Sequence, residues 1–291
     1  MTPSTAAGNP ASRGLRLVTA NAASGRDRFG RPGHDAWVTA AADLQRDLDA
    51  DVWAVQEVDH LLPRSGGRDQ VAALAHALAG GGRPWQARFG AAVRGTPGSS
   101  DTFGPALRTD LDEPSYGVAL ASRHPVRSWQ ELRMRPSVLR LPVPLPPGAP
   151  QRVLWVPDET RIALAAVIDA PGGDVTVVTT HLSFAPWRAR DQLREVVRWA
   201  ATLPRPLVVL GDLNLPGRTP SRLTGLEPAG TVPTYPASHP RLRLDHALLD
   251  PGGRPARLVE TGVSRLGDSD HLAVCVRLSE GSAAQAPTGA H

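Results

Sequence analysis

A carboxylate and a carboxamide, Asp212 and Asn214, follow closely on the apolar run 207–210. Such a run, bounded by Pro and Gly, is typical of a buried strand, and Gly211 allows a sharp turn or a close approach to a ligand. Side chains two residues apart on an extended backbone point the same way, so both should face whatever lies beyond the strand. Asp can accept a proton from water, and Asn can donate to a phosphate oxygen without adding negative charge. The alternative is a capped turn, because Asp and Asn are common turn residues.

Polar side chains recur in this way at the ends of other short apolar runs. Each one alone has an ordinary structural explanation, such as a loop cap, a surface acid or a core histidine. Together they predict a functional site, since the loops at strand ends are where folds place such groups. The residues are Asn21, Glu57, His181, Asp212, Asn214, Asp245, Asp270 and His271.

The chemistry of this set points to a hard cation and a phosphate ester. Oxygen ligands predominate and there is no cysteine cluster, which favours Mg²⁺ or Mn²⁺ over Zn²⁺. The sequence has neither a Walker A Gly-Lys-Ser/Thr nor a Gly-x-Ser-x-Gly motif. A hard cation and an imidazolium would stabilise charge on the phosphoryl and leaving oxygens, and a carboxylate would act on water.

The spacing of apolar residues predicts the elements that position these groups. Helical spacing occurs over 35–49, 69–79 and 186–202. Segment 135–158 is rich in Pro and is predicted to be the longest irregular stretch, and long loops in compact domains are often functional. The predicted strands are 15–20, 52–55, 85–91, 116–121, 126–133, 162–169, 175–180, 207–210, 244–249, 258–263 and 272–278.

Length and composition agree with a single domain. The chain has 291 residues, 41% of them hydrophobic, and a net charge of +4, and it contains Arg but no Lys. The charge gives weak support for a polyanionic partner, although Arg suits bidentate phosphate contacts. We predict a disordered lead over 1–14, one domain over 15–279 and a disordered tail over 280–291.

The single cysteine, Cys275, excludes an intrachain disulfide and is predicted to lie in the core. No run of about 20 apolar residues is present, so we expect no stable insertion into a membrane. The residues up to Gly14 lack the apolar segment of a secretory signal. We therefore expect a cytoplasmic location, and we take the chain to act as a monomer.

The candidate residues fall into seven short segments: Thr19-Ala20-Asn21, Val55-Gln56-Glu57-Val58, Tyr116-Gly117-Val118-Ala119-Leu120-Ala121-Ser122, Thr180-His181-Leu182, Gly211-Asp212-Leu213-Asn214, Leu244-Asp245-His246 and Ser269-Asp270-His271. In this order they resemble the motifs of the endonuclease/exonuclease/phosphatase superfamily, which includes pancreatic deoxyribonuclease, abasic-site endonucleases, neutral sphingomyelinases and inositol-polyphosphate 5-phosphatases. The resemblance covers 15–278. The Gly-Asp-x-Asn and Ser-Asp-His motifs are quite specific in combination, whereas any one motif alone is weak.

The resemblance implies an α/β fold: a four-layer sandwich of two mostly antiparallel mixed β-sheets packed face to face, flanked by helices, with the site at one rim. It implies that Glu57 binds the divalent metal, Mg²⁺ or Mn²⁺, with Asn21 beside it and Asp270 nearby. Asp212 is expected to orient or deprotonate the attacking water, and Asn214 to hold a phosphate oxygen.

The resemblance also implies that His271 contacts the scissile phosphate and serves in acid/base or electrostatic catalysis, oriented by Asp245. A carboxylate on the far ring nitrogen turns the imidazole and raises its pKa, so we expect these two residues in hydrogen-bond contact. The alternative is that Asp245 pairs with Arg241 or Arg243 and is structural.

Beside His181, two further residues are candidates for the site. His181 matches the histidine of the deoxyribonuclease and sphingomyelinase branches, and Tyr116 and Arg161 are candidates for phosphate or substrate contacts. Abasic-site endonucleases carry an Asp where this chain has Ala23, and they lack a Thr-His-Leu segment. Both departures count against abasic-site repair.

These observations predict a metal-dependent, nuclease-like phosphodiesterase whose phosphate-ester substrate includes DNA and RNA among the candidates. A phosphomonoesterase or a lipid-head-group phosphodiesterase on the same fold is an alternative, as is a catalytically silent binding module. A further alternative is a zinc hydrolase on another fold that uses His181, His246 and His271.

Overall fold

The computed structural model of the chain describes residues 14–26, 31, 33, 36–97, 103–107, 112–135, 140–144 and 152–280. The two ends that the sequence predicts to be disordered lie outside these residues, apart from Gly14 and Glu280. None of the helices in the described part of the chain combines the length and apolar character needed to cross a membrane.

The first sheet has seven strands, of which one neighbouring pair is parallel and the others are antiparallel. In spatial order they are β14 (Ala256–Arg265), β15 (Leu272–Glu280), β1 (Leu15–Asn21), β2 (Val52–His60), β5 (Ser115–Ser122), β3 (Gln86–Arg94) and β4 (Gly104–Pro105). The parallel pair is β1 with β2.

The second sheet has six strands and again one parallel pair, formed by its two central strands. In spatial order they are β12 (Glu227–Pro228), β13 (Asp245–Asp250), β11 (Leu207–Asp212), β10 (Gly173–His181), β9 (Ile162–Ala170) and β6 (Val126–Arg133). A separate hairpin pairs β7 (Arg140–Pro144) with β8 (Val153–Pro157).

Helices cover the outer face of each sheet. The helices α1 (Ala36–Leu48) and α2 (Gln70–Ala79) pack apolar residues against the first sheet, and α3 (Pro186–Ala200) and α4 (Thr219–Thr224) cover the second. A third apolar cluster fills the space between the two sheets. Helix, sheet, sheet and helix form the four layers that the resemblance implied, and the predicted fold class is confirmed.

The alternation of side chains along the strands places site residues on the same faces as residues of the apolar core. On β1 the alternate positions Leu17, Thr19 and Asn21 share one face, and Leu17 packs in the core between the sheets. On β10 the same alternation leads from Val177, also in that core, to His181. Because side chains two apart share a face, the residues that end these strands lie between the sheets at one rim.

Three expectations from the sequence need correction. Strand β2 continues past residue 55 to His60, so Glu57 lies inside a strand and not after one. The segment 135–158, predicted to be irregular, contains the β7–β8 hairpin. Gly211 makes no sharp turn, because it lies within β11. A Cβ there would lie 2.0 Å from the carbonyl oxygen of Thr180, so its bare backbone permits the pairing of β11 with β10.

Candidate active site

A cleft of about 500 Å³ opens at the rim where the two sheets meet. Asn21 and Asp245 are buried directly behind it and reach its lining residues through hydrogen bonds. The structure thus brings together all ten residues proposed from the sequence, and their catalytic roles stay predictions. The other eight line the cleft: Glu57, Tyr116, Arg161, His181, Asp212, Asn214, Asp270 and His271.

Glu57 reaches the cleft because of a β-bulge in β2. The pairing of β2 with β5 shifts register between Gln56 and Val58, and Glu57 has a φ of +53°. Strict alternation would turn Glu57 towards the helices, as it does Val55, whereas the bulge turns it towards the cleft beside Gln56. A non-glycine residue at positive φ is strained, and such strain is often found at functional sites.

Asp212 and Asn214 come together through a turn and not through an extended strand. Strand β11 ends at Asp212, and the Asn214 backbone N–H then donates to Asp212 Oδ1 at 3.0 Å with Asn214 at a φ of +50°. The Asn214 amide Nδ2 donates to the Leu182 carbonyl at 2.9 Å, which fixes its direction. The expected common direction is found, but the capped turn proposed as its alternative is what produces it.

Asn21 links a carboxylate of each sheet. Its Nδ2 donates to Glu57 Oε1 at 3.1 Å and to Asp212 Oδ2 at 3.2 Å, while its Oδ1 accepts from the Ala23 backbone N–H at 2.9 Å. Burial raises the pKa of Asp212, and the neighbouring Asp245 carboxylate adds to this, so that it reaches about 7. Asp212 is therefore much closer to half-protonated at neutral pH than an ordinary aspartate.

His181 is held as a neutral imidazole. Burial lowers its pKa well below the ordinary value, and the adjacent Arg161 guanidinium lowers it further. Arg161 Nη1 lies 3.2 Å from His181 Nδ1, and Asn214 Nδ2 lies 3.3 Å from His181 Nε2, so a donor faces each ring nitrogen. Because the guanidinium is charged and only donates, we assign the accepting role to Nδ1 and the proton to Nε2. That Nε2–H lies 3.6 Å from Asp212 Oδ2, so His181 can offer a hydrogen bond within the cleft.

His271, in contrast, is held as a positively charged imidazolium. Burial alone would lower its pKa, but the hydrogen bond and charge of Asp245, with the charges of Asp212 and Asp270, raise it to about 10. The Asp245 Oδ2 to His271 Nδ1 distance is 2.8 Å, which confirms the predicted contact and excludes Asp245 as merely the partner of a nearby Arg. His271 Nε2 lies 3.7 Å from Asp212 Oδ2 and remains directed into the site.

We expect Asp245→Ala and His271→Ala each to slow turnover strongly and the double variant to be little worse than either single one. The main role expected of Asp245 is to orient the His271 ring, and residues that act as one unit are strongly non-additive. The measurement is kcat/KM for the wild type, both single variants and the double variant. Effects that multiply in the double variant would show that the two residues act independently.

A second ion pair of β13 supplies the control cycle. Asp250 at the other end of the strand accepts from Arg205 Nε at 2.7 Å, and variants of that pair should leave turnover unchanged.

Thermal unfolding gives a further readout of the charge on His271. Because the folded-state pKa of His271 is raised, its stabilising contribution is complete below about pH 6.5 and is lost as pH rises through about 10. His271→Ala should therefore flatten the fall in stability over that window.

Two sets of side chains at the cleft could hold a metal ion. Asp212, Asp245 and His271 each present a ligand atom within 4.8 Å of the others, but an imidazolium has no lone pair to give. The second set is Glu57 and Asp270 with Asn21. Burial raises the pKa of Glu57, and the charge of Asp270 raises it further.

Crowding of the carboxylates shows that the cleft suits a cation. The negative charges of Asp245 and Asp270 raise the pKa values of their neighbours Asp212 and Glu57. Asp245 Oδ1 is buried and accepts no hydrogen bond from any residue that the structure describes. A divalent cation bound by oxygen ligands would relieve this repulsion.

Sequence reasoning missed several residues of the cleft wall. Arg64 donates to buried Asp59 at 2.9 Å and 2.7 Å and lies 5.3 Å from the centre of the Tyr116 ring. Tyr235 packs against His271 with ring centres 4.8 Å apart. Neither follows an apolar run. The sequence signal for Tyr235 was composition: the chain has two tyrosines, and the other, Tyr116, was already a candidate.

The proposed three-histidine zinc site is wrong. His246 is buried on the opposite face of β13 from Asp245, and its Nε2 lies 2.8 Å from the Leu215 carbonyl. Burial lowers the pKa of His246 to about 4, and the residue does not line the cleft. His181 and His271 therefore have no third histidine beside them among the residues lining the cleft.

The chain matches the model of the endonuclease/exonuclease/phosphatase family over residues 18–271. A solved endonuclease/exonuclease/phosphatase from Beutenbergia cavernae DSM 12333 is 26% identical, with a TM-score of 0.67 over 94% of this chain and 73% of that one. None of the curated proteins matches the chain.

Two more distant structures share the fold. Sphingomyelinase C from Streptomyces griseocarneus is 18% identical, with a TM-score of 0.56 over 91% of this chain and 99% of that one. The mannosyl-6-phosphatase of Bacteroides thetaiotaomicron VPI-5482 is 13% identical, with a TM-score of 0.56 over the same shares, 91% and 99%.

Proposed function

The chain belongs to the endonuclease/exonuclease/phosphatase family and is a phosphoesterase, and on this premise we propose that it hydrolyses phosphodiesters with Mg²⁺ or Mn²⁺. One observation carries the proposal: His181 Nε2 and His271 Nε2 lie 3.6 Å and 3.7 Å from the same oxygen of Asp212. Hydrolysis needs a base for the attacking water and donors for the oxygens that gain charge. The three side chains supply both.

Asp212 acts as the base or orients the water. Its pKa of about 7, raised by burial and by Asp245, matches the range in which a general base works best. Asn214 is placed to hold a phosphate oxygen. Its amide Nδ2 donates to the Leu182 carbonyl at 2.9 Å and lies 3.3 Å from His181 Nε2, which holds the amide at the cleft beside that imidazole.

The two imidazoles donate to the oxygens on which charge develops. His271, oriented by Asp245, offers Nε2–H as an imidazolium and can give a proton or stabilise a negative oxygen. His181 offers Nε2–H as a neutral donor because Arg161 occupies its Nδ1. Donors fixed in place before the reaction stabilise a transition state more than water does.

Glu57 and Asp270, with Asn21 beside them, would hold the divalent ion in this proposal. The bound ion would supply positive charge to a phosphoryl or leaving oxygen. The bulge at Glu57 fits this role, since it turns a carboxylate into the cleft where strand alternation would have removed it. Glu57 is partly exposed, so an ion has access to it.

The balance of charge in the cleft favours a diester over a monoester. Two of the lining arginines are already paired, Arg64 with Asp59 and Arg161 with Glu159 at 3.3 Å. A diester carries one negative charge, whereas a monoester near neutral pH carries up to two and meets the lining carboxylates Glu57, Glu159, Asp212 and Asp270. The singly charged substrate is repelled less.

A lipid-head-group phosphodiesterase is an alternative that two exposed aromatic side chains would suit. Phe184 lines the cleft and is 43% exposed, and Trp187, three residues later, is 54% exposed. This apolar edge could contact an acyl chain, but aromatic rings also stack on the bases of DNA or RNA. The mannosyl-6-phosphatase that shares the fold keeps a phosphomonoesterase as a third candidate.

The test compares bis(p-nitrophenyl) phosphate with p-nitrophenyl phosphate in the presence of Mg²⁺ or Mn²⁺. We expect the diester to be hydrolysed faster, and excess chelator to stop the reaction. Plasmid DNA, RNA, sphingomyelin vesicles and inositol phosphates then separate the substrate classes. Faster monoester hydrolysis would replace the proposal with a phosphatase, and inactivity on every substrate would favour a silent binding module.

A further inference from the structure

The residues assigned to the reaction are divided between two sheets. Asn21 and Glu57 lie on β1 and β2 of the first sheet, whereas His181 and Asp212 end β10 and β11 of the second. Apolar packing holds the sheets together but is non-directional. A misplacement of about 1 Å can cost roughly 100-fold in rate, so the relative position of the sheets must be set closely.

A polar layer lies in the core directly beneath the cleft. Thr19 on β1, Gln56 on β2 and Thr179 on β10 are all fully buried. Gln56 Nε2 lies 2.9 Å from Thr179 Oγ1 and 3.1 Å from Thr19 Oγ1, and Thr19 Oγ1 donates back to Gln56 Oε1 at 3.3 Å. One carboxamide therefore joins the neighbouring strand and the opposite sheet.

Each residue of the layer precedes a site residue on its own strand. Thr19 is two residues before Asn21 on the same face of β1, and Thr179 is two residues before His181 on the same face of β10. Gln56 directly precedes Glu57 and stands at the edge of the bulge that turns that carboxylate into the cleft. None of the three layer residues lines the cleft.

We propose that Gln56 and Thr179 are positioning residues that keep the two halves of the active site in register. The proposal rests on the proposed function. The inter-sheet hydrogen bonds Asn21–Asp212 and Asp245–His271 are made by site residues. Substrate and metal would contact these residues and would disturb those bonds. The Gln56–Thr179 bond is directional, fully buried and separate from the chemistry, so it can hold the register while the site residues react.

Stability alone does not account for this layer. Polar groups in an apolar core cost free energy unless they are fully paired, and apolar side chains of the same shape often do as well or better. Val has the shape of Thr, and Met has about the length of Gln. The layer gains geometric precision from its hydrogen bonds, which an apolar replacement would not supply.

Thr179→Val tests the proposal against two matched variants. Thr179→Ser keeps the hydroxyl that accepts from Gln56. Thr176→Val removes a different hydroxyl of β10, which donates to the Pro204 carbonyl at 2.8 Å on the side away from the site. We expect kcat to fall roughly 10- to 100-fold in Thr179→Val. Thr179→Ser and Thr176→Val should keep turnover close to wild type.

Binding of Mn²⁺ measured by calorimetry separates positioning from loss of structure. The proposed metal ligands Asn21, Glu57 and Asp270 all belong to the first sheet or its edge, so Thr179→Val should bind Mn²⁺ as the wild type does while its kcat is low. The triple variant Thr19→Val/Gln56→Met/Thr179→Val should unfold at or above the wild-type temperature and be as slow as Thr179→Val. Wild-type kcat in Thr179→Val, or an equal loss in Thr179→Ser, overturns the proposal.

A readout without turnover keeps this inference separate from the proposed function. The Nδ1 proton of His271 bonds to Asp245 across the two sheets, and such a proton gives a low-field NMR resonance. We expect that resonance to shift or broaden in Thr179→Val and to be unchanged in Thr179→Ser and Thr176→Val. If the wild type hydrolyses no phosphate ester, the proposed function fails, and an unchanged resonance in Thr179→Val would still overturn the register proposal on its own.

Discussion

Replacement of Asp212 by asparagine should lower turnover by about 10²- to 10⁴-fold, the range typical of a general acid or base. The amide keeps the shape of the carboxylate but cannot take a proton from water. The side chain is 2% exposed, and both imidazoles and Asn21 converge on its Oδ2. The fold should survive, since Asn can still accept the Asn214 backbone N–H. The measurement is kcat under saturating metal, with circular dichroism of both proteins.

Asp250→Asn provides the matched control for this experiment. Asp250 lies at the opposite end of β13 from Asp245 and pairs with Arg205, so its loss affects the same sheet without touching the cleft. Its turnover should stay close to wild type. A well-folded Asp212→Asn protein with wild-type turnover would remove Asp212 from the mechanism, and the base would then have to be sought elsewhere in the cleft.

Replacement of Glu57 by glutamine should nearly abolish activity by removing the charge that holds a hard cation. The same change should remove the rise in unfolding temperature that Mg²⁺ or Mn²⁺ gives the wild type, because a ligand stabilises only the state that binds it. Without metal the variant should be at least as stable as the wild type. Burial and Asp270 raise the pKa of Glu57, and a carboxyl with a raised folded-state pKa opposes folding progressively as pH rises above its ordinary pKa of 4.5.

Glu227→Gln makes the same chemical change at an exposed position of β12 and should alter neither the metal dependence nor the turnover. The informative comparison is unfolding temperature against metal concentration for the three proteins. If Glu57→Gln keeps the wild-type response to metal and full activity, Glu57 is not a ligand, and the set Asp212, Asp245 and His271 becomes the better candidate for the ion.

The pattern of the sequence accounts well for residues placed by strand alternation alone. Asn21, His181 and Asp212 each end an apolar strand, and strands that run in register bring their ends to one rim. The resemblance implied the two packed sheets and the contact of Asp245 with His271, whereas the pairing of the strands came from the structure. Period-two alternation is a local property, which is why it can be read from a chain without coordinates.

The same local rule fails where the backbone departs from regular geometry. Glu57 follows Gln56, and strict alternation would send it to the helix-covered face of the sheet. The bulge that redirects it is a mismatch between β2 and β5, two strands far apart in the chain. Likewise Asn214 faces the cleft through a turn at positive φ, which the dipeptide spacing does not specify.

By itself the sequence determined the family, the positions along the chain of the strands that carry the site, and the identity of the site's principal polar groups. Only the tertiary structure decided that His181 is neutral, whereas His271, whose pKa the expected contact with Asp245 was predicted to raise, is charged. That difference depends on burial and on partners from separate strands: Arg161 beside His181, and Asp245 beside His271. The tertiary structure also placed Tyr235 and Arg64 in the cleft wall and showed that His246 does not belong to it. Ionisation and contact are set by neighbours in space, and the folded chain alone assembles them.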